Sequence, residues 1–293
     1  MTEQLIDILS APGLGGSPRG LSYFKALMKC PRSAKLRAQY PDLDSSGDGE
    51  KLNALKVGTH LHTLLELYHG RILSPKWADG CLSSGGDMGF AGTDINQAEA
   101  FRLYRAYTDR VREEEWGKVK AVEYSLPSED NEIRRVESIV LSKAGLDVTG
   151  RLDMVTEIDE ERANALLTTW GLFVLPGTYI VDYKTAGARF EASMLEHEDG
   201  LQFKLYPMMY EALTGIRVQG TIVVRVFKYK VPVIEPIIVD YPSEDDKQVV
   251  YDYLKHAQFV ETSMPNRAIA SACFSENRVC PWYKNKMCDR KGE

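Results

Sequence analysis

A short hydrophobic run followed by an alternating acid and base constrains the fold of this chain more than any other feature of its sequence. Tyr179-Ile-Val precedes Asp182, and Lys184 follows two positions later. Side chains two apart on a β-strand lie on the same face, so we expect Asp182 and Lys184 to enter one pocket. The apolar residues predict a buried strand over 179–185, and therefore a central sheet.

Helical and strand patterns follow one another along the rest of the chain. Helices are predicted near 22–39, 52–69, 95–116, 194–213 and 244–260, and strands near 118–126, 135–142, 147–158, 179–185, 219–229 and 233–240. The segment 159–177 is longer than a simple hairpin needs, and we interpret it as an insertion that forms an extended β-hairpin or a lid. This order predicts an α+β fold, a sandwich with a mixed central sheet flanked by helices.

Composition is typical of a globular protein with a sizeable core. Of the 293 residues, 44% are hydrophobic and 27% are charged, which favours a single elaborated domain over 1–293. No apolar stretch is long enough to span a bilayer and the N-terminus is acidic, so we expect a cytoplasmic protein with no membrane partner. The formal net charge of −6 argues against indiscriminate nucleic-acid binding. It does not exclude a nuclease, because bound cations neutralise ligand carboxylates.

Two carboxylates and a lysine supply the chemistry that phosphate-ester hydrolysis needs. Asp153 and Asp182 offer oxygen ligands for a divalent cation, and Lys184 offers a positive charge beside an attacking water. His62 and Glu66 are four residues apart on a predicted helix and therefore share a face. Taken alone, a histidine among leucines is typical of a core position, and an isolated Asp-x-Lys is typical of a surface ion pair.

Four motifs in order resemble the PD-(D/E)XK nuclease superfamily, specifically its RecB-like exonuclease branch. That branch carries GTxxHxxxE in an early helix, GxxD ending a strand, DxK on the next strand and QxxxY in the following helix. The matching segments here are Gly58 to Glu66, Gly150 to Asp153, Asp182 to Lys184, and Gln202 to Tyr206. The resemblance implies a restriction-endonuclease-like core over 55–260.

The resemblance also implies which residues hold the metal. Asp153 and Asp182 would bind Mg²⁺ or Mn²⁺ together with the backbone carbonyl of Tyr183. His62 would add a nitrogen ligand, which suits Mn²⁺, and Glu66 would support His62.

Three further residues have roles by the same resemblance. Lys184 would orient and help to deprotonate the attacking water, or stabilise the charge that builds on the phosphate. Gln202 and Tyr206, one helical turn apart, would face the site and hold Lys184 or a DNA phosphate. For Glu123 and Glu137, on nearby predicted strands, solvated positions are the preferred interpretation.

Four of the five cysteines lie towards the two ends of the chain, at Cys30, Cys273, Cys280 and Cys288. Disulfides are not expected in so large a chain without a secretory signal, and core packing explains three cysteines in a polar tail poorly, so metal ligation is favoured. The pattern resembles the iron-sulfur RecB-like nucleases, including the AddB nuclease domain and the CRISPR-associated adaptation nucleases. It implies a 4Fe-4S cluster that joins segments 20–50 and 265–293. Zinc and free thiols stay open, because a tight Cys-x-x-Cys is absent.

The function implied by the resemblance is a metal-dependent DNA exonuclease that acts on single strands or duplex ends in phage or mobile-element recombination, repair or DNA processing. It would work alone or beside a helicase, a recombinase or an integration complex. A close alternative is a CRISPR-adaptation nuclease that trims DNA before integration. From a different class, an inactivated nuclease fold could serve as a DNA-binding or assembly module. The two carboxylates count against this, because an inert module has no need to hold repelling charges together.

Overall fold

The architecture comes from a computed structural model that describes residues 21–39, 54–70, 95–112, 114–122, 134–135, 139–140, 148–150, 152–186, 200–264 and 288. The helices are α1 (Leu21–Lys29), α2 (Pro31–Gln39), α3 (Ala54–His69), α4 (Ile95–Thr108), α5 (Glu160–Trp170), α6 (Leu201–Thr214) and α7 (Glu244–Ser263). The strands are β1 (Lys118–Val122), β2 (Arg134–Arg135), β3 (Ile139–Val140), β4 (Thr149–Gly150), β5 (Met154–Ile158), β6 (Gly177–Ala186), β7 (Gly220–Phe227) and β8 (Val233–Asp240). None of the described helices is long and apolar enough to cross a membrane.

The main sheet has six strands in the order β2-β1-β5-β6-β7-β8, and β3 pairs with β4 in a separate ladder. β6 and β7 run parallel, and α6 connects them. β5 pairs antiparallel with β6, and β8 pairs antiparallel with β7. The mixed central sheet flanked by helices is therefore confirmed, as is the α+β fold class.

Two apolar clusters cover the two faces of the sheet. On β6, Tyr179, Val181 and Tyr183 belong to the cluster built with α3, α4 and α5. Ile180 belongs to the cluster built with α1, α6 and α7. Because alternate side chains of a strand point to opposite faces, Asp182 and Lys184 share the face of Ile180, towards α6.

Several element boundaries differ from the predicted ones. The helix predicted over 22–39 is two helices, because Pro31 has no N–H to continue α1 and instead begins α2. The helix predicted over 95–116 ends at Thr108, turns follow at 109–110 and 114–116, and Gly117 has a φ of 107° in the left-handed region. The strand predicted at 233–240 is observed with the same bounds.

The interpretation of 159–177 as an extended β-hairpin is wrong. This segment contains α5, which begins where Asp159 accepts a hydrogen bond from the N–H of Arg162 at 2.8 Å. Glu160 and Glu161 in its first turn suit the positive end of the helix dipole, and Gly171, with φ of 68°, ends it. These capping residues are visible in the sequence and indicate a helix. The hairpin was predicted because the segment connects two strands.

The insertion also lies at the far end of the strand pair from the two carboxylates. Ile158 pairs with Gly177 at one end of the β5–β6 ladder, and Met154 pairs with Val181 at the other. The four residue steps from one pair to the other span about 13 Å at ~3.3 Å per residue. The long separation of the two aspartates in sequence therefore leaves them adjacent in space.

Replacing the cap of α5 should affect the stability of the fold. We expect Asp159→Ala to lower the free energy of unfolding by about 1 kcal/mol, because the N–H of Arg162 loses its acceptor. Urea denaturation measures this loss, with the exposed Asp252→Ala as the matched control. Equal free energies of unfolding in the two variants would contradict the role of Asp159 as the cap.

Candidate active site

Asp182 is a fully buried carboxylate at the centre of the site, with 0% of its surface exposed. Its Oδ1 accepts a hydrogen bond from Gln202 Nε2 at 2.9 Å. Its Oδ2 lies 2.5 Å from Lys184 Nζ in a charge-assisted ion pair. The buried carboxylate therefore already faces a cation, and a metal ion would compete with the ammonium for this oxygen.

Asp153 reaches the same place from the neighbouring strand. It lies in a bend just before β5 and not at the end of a strand, and the pairing of Met154 with Val181 sets it beside Asp182. Its Oδ2 accepts a hydrogen bond from the N–H of Tyr183 at 2.8 Å, so the two strands hold its side chain.

Helix α3 contributes His62, whose Nδ1 lies 3.4 Å from Asp153 Oδ2. One turn earlier, Gly58 brings α3 close to β6, because a Cβ there would lie 3.3 Å from Thr185 Oγ1. The glycine of the motif thus permits the close packing that places His62 against the carboxylate. Glu66 is buried one turn beyond His62, and its supporting role stays a prediction.

Helix α6 contributes Gln202 and an aromatic ring. The ring of Phe203 lies 5.6 Å from Lys184 Nζ, and Lys184 keeps 27% of its side chain exposed, so its ammonium can reach a substrate. Tyr206 is partly buried and packs against the cluster of α1, α6 and α7. Its expected role at a phosphate stays a prediction.

The charged groups strongly perturb one another. Burial raises the pKa of Asp182 to about 6, and nearby Asp153 adds to this, although Lys184 and His62 oppose it. Burial also acts to raise the pKa of Asp153, but His62, Lys184 and the Tyr183 N–H together hold it below its ordinary value. Burial lowers the pKa of His62, and Asp153 more than reverses this and raises it to about 9. Without a metal, two cations thus balance two carboxylates.

The donors suit a hard divalent cation with an incomplete protein cage. In the part of the chain that is described, no group of three or more His, Cys, Asp or Glu is placed to hold a metal ion. Mg²⁺ does not require such a group, since it commonly binds through one or two carboxylates together with waters and substrate phosphates. Asp153 and Asp182 provide this pair, and the Oδ2 of Asp182, which faces the Lys184 ammonium, is the donor that fits best.

A buried hydrogen-bonded cluster lies behind the site, on the α3–α4 face of β6. The hydroxyl of Tyr107 accepts a hydrogen bond from Trp116 Nε1 at 2.7 Å, and lies 2.8 Å from His69 Nε2 and 3.3 Å from the Tyr183 hydroxyl. The rings of His69 and Tyr183 stack at 5.8 Å between centroids. Burial raises the pKa of both tyrosines, which keeps their hydroxyls protonated.

This cluster was missed by the motif reasoning. Tyr183 is the middle residue of the Asp-x-Lys motif, but its partners come from α3, α4 and the turn before β1 and belong to no motif. The cluster holds β6 through Tyr183 on the α3–α4 face. Asp182 and Lys184, its two neighbours in sequence, point to the opposite face, towards α6.

Two of the four predicted cluster cysteines are described. Cys30 lies buried between α1 and α2, and Cys288 is also buried; both are free thiols. Cys273 and Cys280 lie outside the described residues, as do Glu123 and Glu137. An iron-sulfur or zinc site therefore stays a prediction.

The fold and the site together define a restriction-endonuclease-like protein. The model of the PD-(D/E)XK nuclease superfamily matches residues 21–284, and the chain belongs to this superfamily. A crystal structure of a candidate exonuclease from Eubacterium rectale is similar, with a TM-score of 0.48 and 13% identity, over 89% of this chain and 88% of that one. No curated protein matches the sequence.

The pairing of His62 with Asp153 predicts a pH dependence of the metal-free protein. A pKa raised from 6.5 to about 9 means that protonated His62 stabilises the fold fully below pH 6.5, and that this contribution is lost as the pH rises through about 9. Histidine NMR signals and melting temperatures between pH 6 and 10 measure both effects.

Asp153→Asn should lower the pKa of His62, because burial then acts without the carboxylate. Asp252→Asn is the matched control and should leave that pKa unchanged. A wild-type His62 that titrates near 6.5 would show that the pair does not form.

Proposed function

We propose that the chain is a metal-dependent exodeoxyribonuclease of the RecB-like type, which hydrolyses phosphodiester bonds of single-stranded DNA or of duplex ends. One observation carries the proposal above all: the buried carboxylate of Asp182 faces the Lys184 ammonium, and strand pairing sets Asp153, just before β5, beside it. The RecB-like assignment rests on the motifs of α3 and α6, which supply His62 and Gln202.

The protein's own groups orient the reaction. Asp153 and Asp182 would hold Mg²⁺ or Mn²⁺ with the carbonyl of Tyr183, and such a cation polarises the phosphate and lowers the pKa of a bound water. Gln202 fixes one oxygen of Asp182 and leaves the other for the cation. The N–H of Tyr183 fixes Asp153 in the same way.

The position of Lys184 supports a role at the attacking water and the phosphate. Its ammonium is held beside Asp182 and is partly exposed, so it can orient an attacking water and offset the charge that builds in the transition state. His62 can bind a cation only after it loses its proton, so its participation is favoured as the pH approaches 9.

An inert DNA-binding or assembly module is less consistent with this geometry. Asp182 has a pKa raised to about 6 by burial, which means that its buried charge destabilises the metal-free fold. A cation would remove this penalty, and an inert fold gains nothing from keeping it. The alternative function, trimming of DNA for CRISPR adaptation, uses the same chemistry and differs only in the proteins that work with the nuclease. We propose a helicase, a recombinase or an integration complex as partners of this chain.

Substitution of the site should abolish cleavage without unfolding the protein. We expect Asp182→Asn and Lys184→Met to slow metal-dependent degradation of end-labelled DNA by about 100-fold or more, because each removes an electrostatic contact of the transition state. Substrates blocked at either end, assayed with Mg²⁺ or Mn²⁺, report polarity and separate exonuclease from endonuclease products.

Asp252→Asn and Lys120→Met are the matched controls, because they change the same residue types on α7 and on β1, two strands away from β6. Both should cleave at the wild-type rate. Equal DNA cleavage rates in the controls and in the two site variants would contradict the assignment as an enzyme.

We also propose that a 4Fe-4S cluster held by Cys30, Cys273, Cys280 and Cys288 joins segments 20–50 and 265–293 beside the 55–260 core. The buried free thiols of Cys30 and Cys288 support this, because thiolate ligands are reduced and shielded from solvent. Zinc remains the alternative ligand chemistry. The cluster would be structural, since closing so long a loop restricts the unfolded chain.

The colour of the anaerobically purified protein tests the cluster. We expect broad absorbance near ~400 nm and iron with sulfide in the purified protein, both lost in Cys280→Ser together with part of the melting temperature. Cys81→Ser is the matched control and should stay coloured. A colourless wild type that contains zinc would replace the iron-sulfur assignment.

A further inference from the structure

Strand β7 extends past the active site on the same face as the catalytic lysine. In the parallel β6–β7 ladder, Lys184 is paired with Arg225 and Ala186 with Phe227. The N–H of Lys228 then donates to the carbonyl of Ala186 at 3.0 Å, so the pairing continues to the end of β6. Phe227 and the residues after it thus lie directly downstream of the site.

Two aromatic rings are stacked at this end of β7. The rings of Phe227 and Tyr229 are nearly parallel, at 3° and with 5.4 Å between centroids. Phe227 is buried at 6% exposure, and Arg225 lies 5.5 Å from its ring centroid on the side of the site. Tyr229 is 39% exposed. The buried ring of Phe227 therefore supports the ring of Tyr229, which is partly exposed to solvent.

The backbone that carries Tyr229 is fixed from the opposite layer. Arg102 of α4 donates from Nη1 to the carbonyls of Tyr229 and Lys230, at 3.0 and 3.2 Å. Glu99 orients this arginine through two hydrogen bonds of 2.8 and 2.7 Å. A turn held by charge-assisted hydrogen bonds keeps the ring in position before any ligand arrives.

We propose that Tyr229, supported by Phe227, is a stacking platform for a base of single-stranded DNA, and that it directs the site towards single strands. This proposal rests on the proposed nuclease function. The platform is a binding subsite, separate from the residues assigned to cleavage.

The chemistry of the segment favours a nucleobase over an apolar partner. Phe227-Lys-Tyr-Lys alternates rings with cations, which combines a flat surface for bases with charges for the phosphates between them. Tyr229 is four residues beyond the partner of Lys184, at most about 13 Å at ~3.3 Å per residue since the chain bends after β7, which is a span of a few nucleotides. Bases in an intact duplex are already stacked and cannot use this ring without being unpaired.

Removal of single bases from the ligand tests the platform directly. Binding of fluorescent single-stranded oligonucleotides is measured in metal-free buffer, with one abasic position moved along the strand. In the wild type, one position should weaken binding by about tenfold, the loss expected for one stacked base. In Tyr229→Leu the same abasic position should have no effect, whereas Tyr229→Phe should behave as the wild type.

Val231→Ser is the matched control, because Val231 is 71% exposed in the same turn and has no ring. Blunt duplex binding should be nearly equal in all variants, and melting temperatures show that Tyr229→Leu is folded. The platform is overturned if the abasic effect is the same in wild type and Tyr229→Leu, or if Tyr229→Leu weakens single-strand and duplex binding equally. A wild type that shows the base-dependent binding but cleaves with neither Mg²⁺ nor Mn²⁺ would instead refute the nuclease function alone.

Discussion

The register of β6 between its two neighbours is the constraint on which the rest of the structure depends. Antiparallel pairing with β5 sets Met154 opposite Val181, which brings Asp153 beside Asp182. Parallel pairing with β7 sets Lys184 beside Arg225. A shift of one residue in either ladder would turn the acid and the lysine towards the opposite face, into the cluster formed with α3 and α4. The site therefore exists only because both ladders are in register.

The two helix layers hold this register from opposite sides. Towards α3 and α4, the Tyr183 hydroxyl joins the buried cluster around Tyr107. Towards α6, Gln202 binds the carboxylate of Asp182. Strand β6 is thus fixed by directional contacts on both faces, and burying polar groups without such contacts would be costly. The same arrangement leaves the other Asp182 oxygen facing the Lys184 ammonium.

The charges of the site balance one another, and the proposed metal ion would replace a proton in this balance. Burial and mutual repulsion disfavour two carboxylates in one pocket, and they raise the pKa of Asp182 to about 6. His62 and Lys184 offset this in the metal-free protein, and Asp153 raises the pKa of His62 to about 9. A divalent cation would supply the charge that His62 now carries. The stability of the fold and its proposed chemistry are in this way linked through the same four side chains.

The sequence by itself determined the class of fold and the family, because the alternation around Asp182 and Lys184 and the order of the motifs are local properties of the chain. The predicted ends of the helices α1 and α4 were wrong. A hairpin was predicted for 159–177 because the segment lies between two strands, although the residues that cap α5 indicate a helix. Only the tertiary structure decided that Asp153 precedes its strand and that Tyr107 supports Tyr183. It alone placed Tyr229 beyond the lysine. These contacts join residues distant in the chain, and no local pattern encodes pairings that arise when separate elements pack together.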